Sequence, residues 1–300
     1  MNPEYDIAIL LPTRGRDGML ERSVKSVVEL ADDPSRIQIM FGFDDDDSVG
    51  SEYFQNTIQP WLDDHDVSYT AMSFRPLGYI RLNEYVNELA RQSDARWLVF
   101  WNDDAVMETS GWDTEIMKWD GQFKLLAFLT HNLHPYSIFP IAPREWLDLL
   151  GYLSPHQISD AWLSQQAYML DLLERIPVHV LHDRHDLTGN NNDHTFNNRP
   201  MLEGNPRDPR DFHHPSQTNR RQEDCAKIAQ YLETKRGISM KFFADVFRGT
   251  QDPWEKLKAN DVNRQMVQFA STELDKFADA HRQAAQQAKA LQREKVADEQ

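Results

Sequence analysis

The chain has 300 residues, 40% of them hydrophobic with 8 Trp and 15 Phe, enough for one large globular domain or a domain with an appendage. Its 32 basic against 48 acidic residues give a net charge of −16, which disfavours general binding to a phosphate backbone. No stretch reaches the roughly 20 apolar residues of a membrane span, the opening residues carry no secretory signal and the single Cys225 has no partner for a disulfide, so a cytoplasmic setting without an integral membrane segment is expected.

The run Ile7 to Leu11 is continuously apolar, as suits a strand buried on both faces, and Pro12 is expected to end it. After the turn Thr13-Arg14-Gly15-Arg16, the apolar positions Leu20, Val24, Val27, Val28 and Leu30 follow helical spacing. Ile37 to Phe43 then reads as a second strand and completes a β-α-β unit. A helical segment from Asn83 to Arg91 feeds a strand over Trp97 to Trp101, and Leu125 to Thr130 supplies another short strand. Val178 to His185 alternates like a strand and ends in a polar cluster. Strands alternating with helices predict an α/β fold, a mostly parallel twisted sheet flanked by helices.

Beyond about residue 186 the texture changes. Thr188 to Asn198 is dominated by Gly, Asn and Asp, and Pro200 to Pro215 holds four prolines, a loop composition. Helix formers return from Gln222, and from Val262 onward Met266, Phe269, Leu274 and Phe277 mark a helical tail whose last turns are too polar to pack well. The expected organisation is a domain over 1–200, a linker over 201–221 and a C-terminal helical extension over 222–300.

In parallel sheets, ligands bind in the crevice beyond the carboxyl ends of the strands. Here three strand ends carry the polar groups: Pro12 to Arg16, Asp44 to Ser48, and Asn102-Asp103-Asp104. Paired carboxylates suit a hard divalent cation, which is commonly shared between one or two protein carboxylates and a substrate's phosphates. Asp44 to Asp47 is not a calcium loop of the EF-hand type, because its sixth and twelfth positions are Val49 and Gln55 instead of Gly and Glu. Asp44 and Asp46 are the candidates for function there, and Asp47 for a helix cap. The third cluster also reads as an N-cap for a short helix near Met107.

The segments Ile-Leu-Leu-Pro-Thr-Arg-Gly-Arg at 9 to 16, Phe-Asp-Asp-Asp-Asp-Ser at 43 to 48 and Asn-Asp-Asp at 102 to 104 resemble a glycosyltransferase of the GT-A (Rossmann-like) fold, family 2 type. Arg81 and Asn83 before the third segment and Gly111-Trp112-Asp113 after it fit the same pattern, and the likeness covers roughly residues 5 to 200. The resemblance implies a nucleotide-sugar donor, most simply a UDP-sugar, with Pro12, Thr13 and Arg14 shaping its pocket. Asp44 and Asp46 would serve the base and ribose, and Arg16 and Arg81 the diphosphate, for which a guanidinium fork is well matched. A surface ion pair is the competing reading for both arginines.

The third segment departs from the family's Asp-x-Asp motif, since its first position is Asn. An amide still reaches a ribose but is a poorer metal ligand. The resemblance therefore places Mn²⁺ or Mg²⁺ chiefly on Asp104, with Asp103 sharing it or holding the ribose beside Asn102. His182 is the expected second ligand and His185 its competitor. Ser159-Asp160-Ala161-Trp162 resembles the family's catalytic position, which makes Asp160 the general base of an inverting transfer. Ser159-Asp160 also reads as a helix cap.

Trp162 is expected in the core. The acceptor stays open between a glycan, a small molecule, a protein side chain and a modified DNA base. The last is kept because Arg207, Arg210, Arg220 and Arg221 punctuate one segment, although a solvated loop is the plainer reading. Two rival functions are a nucleotidyltransferase, against which Thr13 to Arg16 has one glycine and no lysine, and a catalytically silent nucleotide-sugar-binding module.

Overall fold

A computed structural model describes residues 3–130, 136–183 and 207–238. It contains eight strands: β1 (Ile7–Thr13), β2 (Ile37–Asp44), β3 (Ser68–Phe74), β4 (Trp97–Phe100), β5 (Ala105–Met107), β6 (Leu125–Thr130), β7 (Pro140–Pro143) and β8 (Leu173–His182). They form one sheet in the order β3-β2-β1-β4-β7-β6-β8-β5, in which all but β5 and β7 run the same way. The helices that matter below are α1 (Asp17–Glu29), α2 (Ser48–Tyr53), α3 (Gln59–Asp64), α4 (Leu82–Gln92), α5 (Trp112–Met117), α6 (Arg144–Leu150), α7 (Ser159–Leu170) and α8 (Pro215–Arg236).

The continuous apolar character of β1 follows from helices on both faces of the sheet. Ile7, Ile9 and Leu11 point into one cluster with Leu20, Val24 and Val27 of α1. Ala8 and Leu10 point into the opposite cluster with Val86, Leu89 and Ala90 of α4. Pro12 does not end the strand, which runs on to Thr13. Residue 12 faces the β4 side, as Leu10 does when its carbonyl accepts from Trp101 N–H at 3.0 Å, and β4 has already ended at Phe100. The missing proline N–H therefore costs no ladder bond there.

Three strands lie outside the sequence expectation. β3 is a half-exposed edge strand, β7 is bracketed by Pro140 and Pro143, and Ala105–Met107 is a strand instead of the beginning of a short helix. β5 is antiparallel to β8 and brings Ala105 opposite His182. The helix expected from Gln222 begins at Pro215, because proline is tolerated at a helix's first position and His214 Nδ1 caps it by accepting from Ser216 N–H at 3.1 Å. Residues 239–300, with the helical tail expected from Val262, lie outside the described residues, as do His185, Thr188 to Asn198 and 131–135. Among the described residues no helix is long and apolar enough to cross a membrane.

α8 is docked on the domain through its apolar stripe Cys225, Ile228 and Leu232, which enters the same cluster as Leu163 and Ala167 of α7 and Trp146 of α6. Burial pushes the Cys225 thiol well above its ordinary range. Beside it the buried Asp224 accepts from Tyr152 O–H at 2.8 Å and Gln166 Nε2 at 3.0 Å. Burial raises the Asp224 carboxyl above its ordinary 3.8. A raised carboxyl pKa makes the folded state the better proton binder, so its stabilising contribution is complete below pH 3.8 and is lost as pH rises through the folded value. Asp224→Asn removes the buried charge, while the new amide oxygen can still accept from Gln166 Nε2 and the new amide N–H can donate to the Tyr152 hydroxyl oxygen. The variant is expected to melt higher than wild type at pH 7, with the gain shrinking on acidification in thermal scans.

A second buried polar group fixes the loop that leads to α7. Asn87 accepts from the N–H groups of Leu153 at 2.8 Å and Ser154 at 3.2 Å, and donates to the Ser154 carbonyl at 2.6 Å. Asn87→Ala strands these backbone groups in the interior, an expected loss of about 2–3 kcal/mol in urea denaturation.

Candidate active site

The loop after β1 is the hub of the site. Gly15 has φ +61, the left-handed region that other residues adopt only with strain, and the turn it makes sends Arg14 and Arg16 to different neighbours. Arg14 reaches the β2 end, where Nη1 donates to Asp44 Oδ2 at 2.7 Å and also pairs with Asp46. Asp46 and then Asp44 raise the Arg14 pKa further above its already high ordinary value, so the guanidinium stays charged. Gly15 N–H donates to Asp47 Oδ2 at 2.8 Å, and Asp47 also caps α2 by accepting from Gly50 N–H at 3.1 Å. Asp47 is thus the cap, as the sequence indicated.

Arg16 reaches the β4 end. Its Nη1 lies 2.8 Å from Asp103 Oδ1 and 3.6 Å from Asp104 Oδ2, and Thr13 Oγ1 donates to Asp103 Oδ2 at 2.8 Å. Both carboxylates are buried, at 7% and 5% exposure, which a fixed cation alongside makes tolerable. The Asp104 Oδ1 atom faces His182 Nε2 at 3.4 Å. That meeting is a product of the β5–β8 pairing, reinforced where Asp183 N–H donates to the Asp104 carbonyl at 2.7 Å and Arg22 pairs with the Asp183 carboxylate. Asn102 is held through its carbonyl, which accepts from Ser23 Oγ at 3.2 Å and Ala105 N–H at 3.0 Å. Pro12 is half-buried and pairs in register with Gly42 of β2.

The structure therefore brings Thr13, Arg14, Arg16, Asp44, Asp46, Asn102, Asp103, Asp104 and His182 to adjoining strand ends. Arg81 behaves differently. It precedes α4 and pairs with Glu84 within its own turn, the local ion pair that was the alternative for it. Tyr85, which the sequence did not single out, donates to Asp44 Oδ1 and accepts from Leu77 N–H at 2.8 Å. Burial first and Asp44 second push its phenol up to about 12, so it remains a donor. Asp113 is a framework residue that accepts from the N–H groups of Asp32 at 2.8 Å and Asp33 at 2.9 Å.

Asp160 is the second residue of α7, half-buried, and the cap position belongs to Ile158. Trp162 is fully buried, as expected. One turn after Asp160, Ser164 Oγ accepts from Ser137 N–H at 2.9 Å, and the nearby Phe139 ring lies 5.1 Å from that of His182. Ser164 of α7 is thereby tied to the segment before β7, whose Phe139 touches His182.

Among the described residues no three His, Cys, Asp or Glu side chains are arranged to enclose a metal by themselves. The pair of Asp104 and His182 nonetheless offers an oxygen and an imidazole nitrogen converging from neighbouring strands. Mg²⁺ and similar ions usually take one or two carboxylates and complete their shell with water and substrate phosphates. That donor set fits a divalent cation shared with a phosphorylated ligand.

The mixed sheet flanked by helices has the GT-A fold, as solved structures of similar architecture show. The chain is similar in structure to the mannosyltransferase PcManGT from Pyrobaculum calidifontis, solved in complex with GDP-Man and Mn²⁺, with a TM-score of 0.51, 12% identity, and coverage of 95% of this chain and 86% of that one. It is also similar to residues 1–349 of S. aureus TarS in complex with UDP-GlcNAc, with a TM-score of 0.52, 10% identity, and coverage of 93% and 89%. No protein-family model matches the chain, and no curated protein matches its sequence.

Proposed function

We propose that this chain is a metal-dependent, inverting glycosyltransferase that moves a sugar from a nucleoside-diphosphate sugar, most simply a UDP-sugar, to an acceptor hydroxyl. The observation that carries the reading is the Arg16 bridge between Asp103 and Asp104, with His182 opposite. A guanidinium, two buried carboxylates and an imidazole gathered in this way support a site for a donor's diphosphate and its metal.

Asp44, oriented by Tyr85, accepts hydrogen bonds from the base or ribose, with Asp46, Thr13, Arg14 and Pro12 around it. Asp103 and Asn102 contact the ribose, and Arg16 pairs with the diphosphate. Arg81 serves the diphosphate once released from Glu84. Asp104 and His182 hold Mn²⁺ or Mg²⁺, which when bound supplies Lewis-acid neutralisation of the charge growing on the leaving diphosphate. Asp160 takes the proton of the acceptor hydroxyl as its oxygen bonds to the anomeric carbon. The bond from that carbon to the diphosphate oxygen breaks, and its electron pair leaves with the nucleotide. One base and no protein nucleophile give a single displacement with inversion.

The test is nucleotide release from UDP-glucose, UDP-GlcNAc and GDP-mannose, each with and without Mn²⁺, paired with calorimetry. Metal-dependent release from at least one donor is expected. Metal-dependent binding without release across donors and added acceptors would replace the enzyme reading with that of a binding module.

A further inference from the structure

His156, outside the donor site, joins the start of α7 to the turn ahead of α8. Its Nε2 lies 2.9 Å from the Arg210 carbonyl, which can only accept, so the proton sits on Nε2. Nδ1 is then left as an acceptor, and it takes the N–H of Ile158, the cap residue of α7, at 3.1 Å. The same residue's carbonyl accepts from Ser159 Oγ at 2.9 Å and from Ser154 Oγ at 2.7 Å. Its ring stacks on Trp162, with centroids 6.1 Å apart and planes 10° apart, and meets Phe212 edge-on at 5.3 Å. Phe212 is in turn covered by the buried Arg221 guanidinium, 4.2 Å from its ring. Asp160 lies between Ile158 and Trp162, the two residues that His156 grips.

We infer that His156 is a positioning residue for Asp160: the Arg210 carbonyl fixes its tautomer, and the acceptor nitrogen so defined fixes the first turn of α7. The idea rests on the reading of Asp160 as the base. A carbonyl that sets which ring nitrogen carries the proton is how an imidazole is held to one role. An error of about 1 Å in a reacting group's position costs about 100-fold in rate, so a loosened first turn lowers turnover without weakening donor binding.

The contact between Nδ1 and the N–H two residues on has the form of an Asx-turn, which asparagine makes well. Asparagine therefore replaces the Ile158 contact, whereas glutamine places an amide towards Arg210 but leaves Ile158 N–H without its acceptor. His156→Asn, His156→Gln and His156→Ala are compared by saturation kinetics on whichever of UDP-glucose, UDP-GlcNAc and GDP-mannose the wild type turns over, and by amide exchange over residues 158–162. Expected are a 10- to 100-fold fall in kcat for the Gln and Ala variants, a donor KM within about twofold, and faster exchange at those amides. His156→Asn should retain most of the turnover and the protection. Equal losses in all three would reduce the residue to ring packing, and no loss in any would remove the role; either overturns the inference. If His156→Ala does not fold, the Asn–Gln contrast decides alone. Wild-type turnover in Asp160→Asn would instead remove the reading of the base, whatever the His156 variants do.

Discussion

Asp104→Ala is expected to abolish transfer while the domain stays folded. Its Oδ1 faces His182 Nε2 at 3.4 Å, whereas the two Asp103 oxygens accept from Thr13 and Arg16. Losing the ion's neutralisation of the leaving diphosphate removes about 4 kcal/mol of transition-state stabilisation, or about 10³ in turnover. The fold survives because the Asp104 backbone, whose carbonyl accepts from Asp183 N–H, keeps the β5–β8 junction intact. Arg16 also keeps its partner in Asp103. The check is Mn²⁺-dependent nucleotide release from the donor that the wild type accepts, with circular dichroism as the folding control. EDTA should silence the wild type, Mn²⁺ should restore it, and millimolar Mn²⁺ should not restore Asp104→Ala. Turnover near the wild-type level in that variant would take the metal away from Asp104.

The strand ends were legible because apolar runs buried on both faces leave a plain signal where they stop. β2 and β6 fall where Ile37 to Phe43 and Leu125 to Thr130 indicated, and the Asp47 cap follows from its place before a helix. β3 was hidden because an edge strand has one neighbour and a half-wet face, so Ser68 to Phe74 lacks a strong pattern. β7 was hidden because proline argues against a strand, yet its two prolines fall at the ends of a short antiparallel segment. At the site, charged residues announced themselves by type, but their pairing did not. That Arg14 turns to β2 and Arg16 to β4 depends on Gly15, and that His182 meets Asp104 depends on a β5–β8 register that no local pattern encodes. Tyr85 and His156 were invisible for a related reason. Each looks like an ordinary helix or loop residue until tertiary contact gives its polar atom a partner.

Asp160→Asn separates catalysis from helix capping. The sequence allowed Asp160 to be a cap, but the cap position is Ile158, and Asp160 sits one residue inside the helix. An asparagine there keeps the shape and loses the charge, so its effect on stability is limited to the carboxylate's attraction to the helix N-terminus, about 0.3–1 kcal/mol. A lost general base costs far more, about 10²–10⁴ in rate. The expected result is therefore a variant with nearly wild-type melting and donor KM but a kcat lower by that factor. A capping role would give the reverse, a lower melting point with kcat preserved. The two outcomes differ because the base acts only as the acceptor's proton is lost, whereas a helix-end charge acts in every state of the folded chain. Paired with Asp104→Ala, the variant divides the mechanism at the anomeric carbon: one substitution removes support for the leaving group, the other removes the proton acceptor for the incoming one. If both assignments hold, each single variant already lacks half of a concerted displacement, and the double variant should lose much less than the product of the two single losses.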